Sequence, residues 1–205
     1  MDLLDKCFEK DYSTLHGWCT VEKAKKIIEL VQQKVPNLSV ELGVYAGRSL
    51  LPLTVACKHY NPNSKVIGID AWSKDASLEG KNNEENDEWW EKIDYNFFMN
   101  YTIELLKRFN SFDITELWRE KSVDVASKFS DESIDILHQD SNHSEEVSCS
   151  EVELYWNKLV HGGYWIFDDT NWSTTQKAQN LLISKGYTEI FSSPNNEWKV
   201  FQRSK

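Results

Sequence analysis

Glycine and proline are scarce in this chain, at 8 and 4 of 205 residues. That scarcity excludes collagen-like and low-complexity chains, which carry them at far higher density. Cysteine is also sparse, and Cys7, Cys19, Cys57 and Cys149 are scattered with no C-x-x-C pair. Such spacing suits neither a zinc site nor a disulfide frame, and fits reduced thiols in a cytoplasmic protein. No apolar run is long enough to span a bilayer, and Asp2, Asp5, Lys6, Glu9 and Asp11 stand where a signal peptide has its apolar core. Basic residues are outnumbered 23 to 33, for a formal net charge of −10. Nucleic acid and anionic membranes are therefore not expected as partners, since both select a basic face.

What is present is a globular chain of one-domain length, residues 1–205, with 9 tryptophans. Residues 1–37 read as an N-terminal helical segment, with Thr20 capping a helix over 21–33 whose apolar face is Val21, Ala24, Ile27, Ile28 and Val31. The stretch from Leu38 to Ser49 organises the rest. Leu38, Val40, Leu42 and Val44 alternate as a buried strand, Gly43 and Gly47 bracket a turn, and a helix follows to Tyr60. A strand, a glycine turn and a helix N-terminus form a site for a nucleotide-like ligand. Tyr45 occupies the place of the middle glycine in G-x-G-x-x-G, which disfavours close approach of a pyrophosphate. Glu41 just before the turn would repel phosphate and suits a ligand with a positive end, such as S-adenosylmethionine. An NAD-dependent oxidoreductase is the rival on such a sheet, and it lacks its glycine pattern here. A non-catalytic binding module of the same fold is the third reading.

Further strands are predicted over 65–70, 114–120, 134–140, 164–169, 187–191 and 198–202. Helices are predicted between them over 97–109, 122–129, 145–159 and 173–185, the last opened by a Ser173–Gln176 capping box. The 145–159 helix has Val147, Val152, Leu154, Tyr155 and Leu159 as its apolar positions and ends at His161-Gly162-Gly163. Strands alternating with helices give an α/β fold, a doubly wound, mostly parallel seven-stranded sheet with an antiparallel C-terminal hairpin. Residues 73–95 break this rhythm. They are acidic, rich in Asn and carry Trp89-Trp90, which reads either as a solvated insertion or as a lid.

Glu41-Leu-Gly-Val-Tyr-Ala-Gly-Arg-Ser49 resembles the first motif of class I S-adenosylmethionine-dependent methyltransferases. Within that class it is most similar to the metal-dependent O-methyltransferases of the catechol and macrocin types. The likeness returns at Val66–Asp70, Ile134–His143 and Gly162–Asp169, in the same order. The resemblance implies a Rossmann-like fold and a cofactor site at Glu41, Gly43, Tyr45, Gly47, Ser49 and Asp70, with Asp70 on the ribose hydroxyls. It adds Ser122 and Val123 beside adenine, and Asp140.

The residues point the same way. Asp140, Asp168 and Asp169 fall at strand ends, and neighbouring strands would bring the three together. Their mutual repulsion calls for a cation. An all-oxygen set favours Mg²⁺ or Mn²⁺ over zinc. The resemblance implies the same three as metal ligands. His143, three residues beyond Asp140, stands where the catechol enzymes have a lysine base, and is the candidate base beside Asp140. His138 reads as a core histidine. The expected activity is metal-assisted O-methylation of a small molecule, either a sugar or a catechol-like ring, by a chain that could also form a homo-oligomer.

Overall fold

The computed structural model describes residues 12–204. Of the N-terminal segment expected over 1–37, residues 1–11 and with them Cys7 lie outside the described residues, and Tyr12–Thr14 form a 3-10 turn. Helix α1 (Val21–Lys34) begins where Thr20 Oγ1 accepts the Lys23 amide at 3.1 Å. It leads into β1 (Leu38–Leu42), and α2 (Leu50–Tyr60) and β2 (Lys65–Ile69) follow. Two short helices, α3 (Lys74–Ser77) and α4 (Glu84–Trp90), precede α5 (Tyr95–Arg108), whose N-cap Asp94 accepts the Phe97 amide. The remaining elements are β3 (Thr115–Trp118), α6 (Ser122–Val125), β4 (Ile134–Gln139), α7 (Glu145–Tyr155), β5 (Leu159–Asp168), α8 (Gln176–Ser184), β6 (Tyr187–Ser192) and β7 (Trp198–Arg203).

The seven strands form one sheet in the order β3-β2-β1-β4-β5-β7-β6. The first five are parallel, and β7 pairs antiparallel with both β5 and β6. One face packs Ile27, Leu30, Leu51 and Leu106 from α1, α2 and α5. The other packs Val125, Val152, Tyr155 and Leu182 from α6, α7 and α8. Burial on both faces is why β1 reads as a nearly continuous buried strand. The chain runs outward from β1 through β2 to β3, then crosses to β4 on the other side. The switch point therefore lies between the carboxyl ends of β1 and β4.

Several expected boundaries differ. Helix α7 stops at Tyr155 and not at Leu159, because residues 159–163 already belong to β5. The register jumps from Ile134↔Leu159 to Ile136↔Tyr164, so the chain around Gly162 (φ +71°) and Gly163 bulges where termination was expected. Leu154 is 40% exposed and faces solvent. The capping box is not formed either. Ser173–Thr175 make a 3-10 turn, and Thr175 Oγ1 donates back to Asp169 O at 2.8 Å.

Candidate active site

At the switch point β1 and β4 meet without room for a side chain. Gly43 has φ +84°, and a Cβ there would stand 2.0 Å from the Asp140 carbonyl oxygen. The Asp140 amide donates to Leu42 O at 2.8 Å, which fixes the height of Asp140 against the turn. Asp70 ends β2 and closes the turn from the other side. Its Oδ2 accepts the Val44 and Tyr45 amides at 2.9 and 2.8 Å, and its Oδ1 accepts the Trp72 amide at 2.6 Å. Burial nevertheless pushes the Asp70 carboxyl up. Tyr45 (φ +48°), Trp72 (φ +39°) and Asp169 (φ +48°) all hold left-handed backbone at these strand ends. Strain of this kind persists where the surroundings over-determine it, commonly at functional sites.

A cleft opens above this junction, with about 730 Å³ of space between its walls and the open solvent at its mouth. Among the expected residues, Gly43, Tyr45, Asp70, Ser122, Val123, Asp140 and His143 line it. Ala76, Ser77, Glu79, Asn82, Asn86 and Trp90 form the opposite wall. Glu41, Gly47 and Ser49 lie beneath the lining. Glu41 is fully buried, accepts from Ser49 Oγ at 2.8 Å, and pairs with His138 Nδ1 at 3.0 Å. Gly47 serves packing, since a Cβ there would meet Thr102 of α5 at 2.9 Å. The Ser122 hydroxyl turns away from the cleft to Glu151, which also accepts from Ser141 Oγ at 2.5 Å and Gln139 Nε2 at 2.8 Å.

Asp140, Asp168 and Asp169 are not gathered into one ligand group. Asp140 sits with His138 and Asp168 on one side and with His143 and Asp169 on the other, and the acids bring their own cations. The buried Lys23 ammonium from α1 contacts Asp168 directly and lies 3.6 Å from Asp140. Burial would lower the Lys23 pKa, yet the two carboxylates outweigh it and hold the amine charged. For the Asp140–Asp168 pair, burial and mutual repulsion keep one carboxyl up while Lys23 keeps the other ionised. His143 spans the outer side, with Nδ1 3.0 Å from Asp169 and Nε2 3.5 Å from Asp140. Burial opposes its protonation, but Asp169 and Asp140 prevail and push the imidazole up to about 10. Trp172 stands edge-on to the ring at 5.2 Å.

The donor chemistry fits a divalent cation. His138 Nε2 and His143 Nε2 are both buried without a hydrogen-bond partner, and they approach Asp140 at 3.9 and 3.5 Å. Ligand atoms of Asp140, His143 and Asp169 lie within 4.8 Å of one another, as do those of His138, Asp140 and Asp168. The set is thus mixed oxygen and nitrogen, where an all-oxygen set was expected.

Lys23 and Glu151 were not singled out in the sequence, although both leave a trace there. Lys23 shares a helix face with Ile27, and Glu151 lies between Val147 and Tyr155 at four-residue spacing. A charge on an apolar stripe is the signal.

A mostly parallel sheet with a glycine turn at its switch point and an acid ending the second strand defines a Rossmann-like α/β fold. Residues 40–170 match a family model described as a methyltransferase domain, and the chain belongs to that family. No curated protein is similar enough in sequence to match the chain. Among solved structures, a methyltransferase from Geobacter sulfurreducens superposes with a TM-score of 0.65 at 16% identity, covering 91% of this chain and 80% of that one. The O-methyltransferase TomG from Streptomyces achromogenes, in complex with SAM, gives 0.63 at 10% identity, covering 98% and 85%. SAH-bound methyltransferase PaMTH1 from Podospora anserina gives 0.63 at 12%, covering 100% and 88%. Among the described residues, no helix is long and apolar enough to cross a membrane.

Proposed function

We propose that this methyltransferase takes S-adenosylmethionine as methyl donor and methylates a hydroxyl of a small molecule, a sugar or a catechol-like ring. The observation that carries the reading is the junction of the Gly43 turn, Asp70 and the Asp140–His143 loop on one cleft. The cleft would hold the adenosine and methionine parts, with Asp70, Ser122 and Val123 along the nucleoside end. Solved relatives bound to SAM and SAH support the choice of cofactor.

Asp140 and Asp168 with His138, whose ligand atoms lie within 4.8 Å of one another, would hold a divalent cation, and Mn²⁺ matches a nitrogen-containing set better than Mg²⁺. Such a cation supplies a Lewis acid that lowers the pKa of an acceptor hydroxyl. The chain's own residues do the rest. Asp169 takes the Nδ1 proton of His143 in a hydrogen bond and so leaves Nε2 as the proton-accepting atom. The acceptor oxygen attacks the sulfonium methyl, the S–CH₃ bond breaks, and the hydroxyl proton passes to Nε2. Asp169 and Asp140 both favour its imidazolium. A cation held on Asp140 would offset that pull and leave Nε2 free to accept, so turnover is expected to depend on a divalent ion.

Calorimetry with S-adenosylmethionine, S-adenosylhomocysteine and NAD tests the donor. Heat with the first two is expected, and tight binding of NAD alone would overturn the reading. Methyl transfer from labelled cofactor to hydroxylated acceptors then separates an enzyme from a binding module. His143→Gln should lower kcat by at least ~10²-fold with cofactor affinity kept. A loss of only a few fold would retire His143 as the base.

A further inference from the structure

Asn142, between Asp140 and His143, makes contacts that neither cofactor nor cation chemistry requires. Its side-chain amide donates to the carbonyls of Ala76, Ser77 and Glu79 at 3.0, 3.1 and 2.9 Å. Its Oδ1 accepts the Ser144 amide at 2.8 Å, shaping the loop into α7. One side chain therefore joins the loop bearing Asp140 and His143 to the 76–79 turn, which forms the facing wall of the cleft. A second contact lies on the same seam. Gly80 (φ +76°) comes so close that a Cβ would stand 2.5 Å from Ser144 Oγ and 2.6 Å from Glu146 Oε2.

The wall is anchored at its far end, where Trp89 and Trp90 each stand 5.5 Å from Tyr45, and has little buried surface elsewhere. Neither α3 nor α4 buries a single residue. Segments with few buried apolar groups open at low free energy. A ligand held between this wall and the sheet must pass it on every turnover, and such motions often limit the rate of product release.

We infer that Asn142 is a positioning residue, a tie that holds the 74–90 segment as a cover over the cofactor and couples its closure to the placement of Asp140 and His143. The inference rests on the cofactor reading above. With the tie made, cover and catalytic loop move as one body. With it broken, residues 74–82 loosen from the loop while Trp89 and Trp90 keep the far end on Tyr45, and the loop keeps its turn but loses its outer support.

The amide's two ends allow a decisive substitution. Asn142→Asp keeps the acceptor for the Ser144 amide and for Asn82 Nδ2 at 3.5 Å and turns the donated contacts into repulsion against three carbonyls. Asn142→Ala removes both, while Gly80→Ala wedges the seam without touching Asn142. Amide hydrogen exchange over residues 74–82 in the ligand-free protein, and the dissociation rate of S-adenosylhomocysteine by stopped-flow tryptophan fluorescence, read the result. All three variants should speed exchange and quicken release by about tenfold, the scale of losing one or two net hydrogen bonds. If Asn142→Asp exchanges and releases as the wild type does, Asn142 only shapes its own loop and the tie is refuted. If the wild type binds no S-adenosylhomocysteine, the cofactor reading falls and the coupling to release falls with it. The exchange measurement still decides whether the tie exists.

Discussion

Lys23 shows how a single residue sets the electrostatics of the cleft. Removing one partner of a buried ion pair costs about 3–5 kcal/mol, because the remaining charge has no compensation. Lys23→Met should therefore lower Tm by roughly 10 °C in a chain of this size. Excess Mn²⁺ should restore part of that loss if the carboxylates bind a cation, and a calorimetric scan with and without the ion checks both. Glu151 makes a different prediction. Burial raises its carboxyl against the pull of Ser122, Ser141 and Gln139. A carboxyl whose folded pKa exceeds its unfolded one binds more protons folded than unfolded, so stability falls as pH rises above about 4.3 toward the folded value. Glu151→Gln should remove that slope, because its carbonyl can face Gln139 and its amide the two serine hydroxyls, which accept as well as donate. Urea unfolding at pH 5 and pH 8 measures the difference. The three aspartates were legible because strand ends are fixed by pattern. The partners that Lys23 and His138 find across the sheet were not, since they depend on which helix or strand lies opposite.

At the scale of elements, the glycine turn after β1 carries the tightest constraint. Gly43→Ala places a methyl against the backbone of Asp140 and forces an unfavourable φ. The variant should lose S-adenosylmethionine affinity by well over tenfold and unfold earlier, as calorimetry and a thermal scan would show. The β1–turn–α2 unit was readable because its alternation, glycines and apolar helix agree with one another. The β5 strand was only half readable. Gly162 and Gly163 look like a helix stop in sequence, yet in the sheet they form a bulge that lets β5 begin three residues after Trp156 ends the turn of α7. Likewise Ser173–Gln176 has the letters of a capping box. Thr175 instead bonds to the Asp169 carbonyl and so steadies the residue next to His143. Tertiary partners override a local signal in both cases.

For the whole molecule, the alternation of strands and helices was enough to specify a doubly wound sheet, but not that the last strand lies inside it. β7 separates β5 from β6 and sets Trp198 opposite Asp168. Phe201, fully buried opposite Trp165, should cost ~3–5 kcal/mol when replaced by alanine. Affinity of the folded protein for S-adenosylhomocysteine should not change, because Phe201 lies at the middle of the strand and away from the cleft. Denaturant unfolding with a parallel binding titration tests both halves of that statement. The loop after β5 is held from the same side, with the Thr170 amide donating to Glu197 O at 2.9 Å. During synthesis the ribosome makes β5 well before the strand that pairs with its outer edge. Until β7 has emerged, that edge is open to other nascent chains, and Asp168 and Asp169 ride on a strand with a partner on one side only. The order of synthesis thus leaves the strand that carries the two aspartates as a temporary sheet edge until the seventh strand covers it.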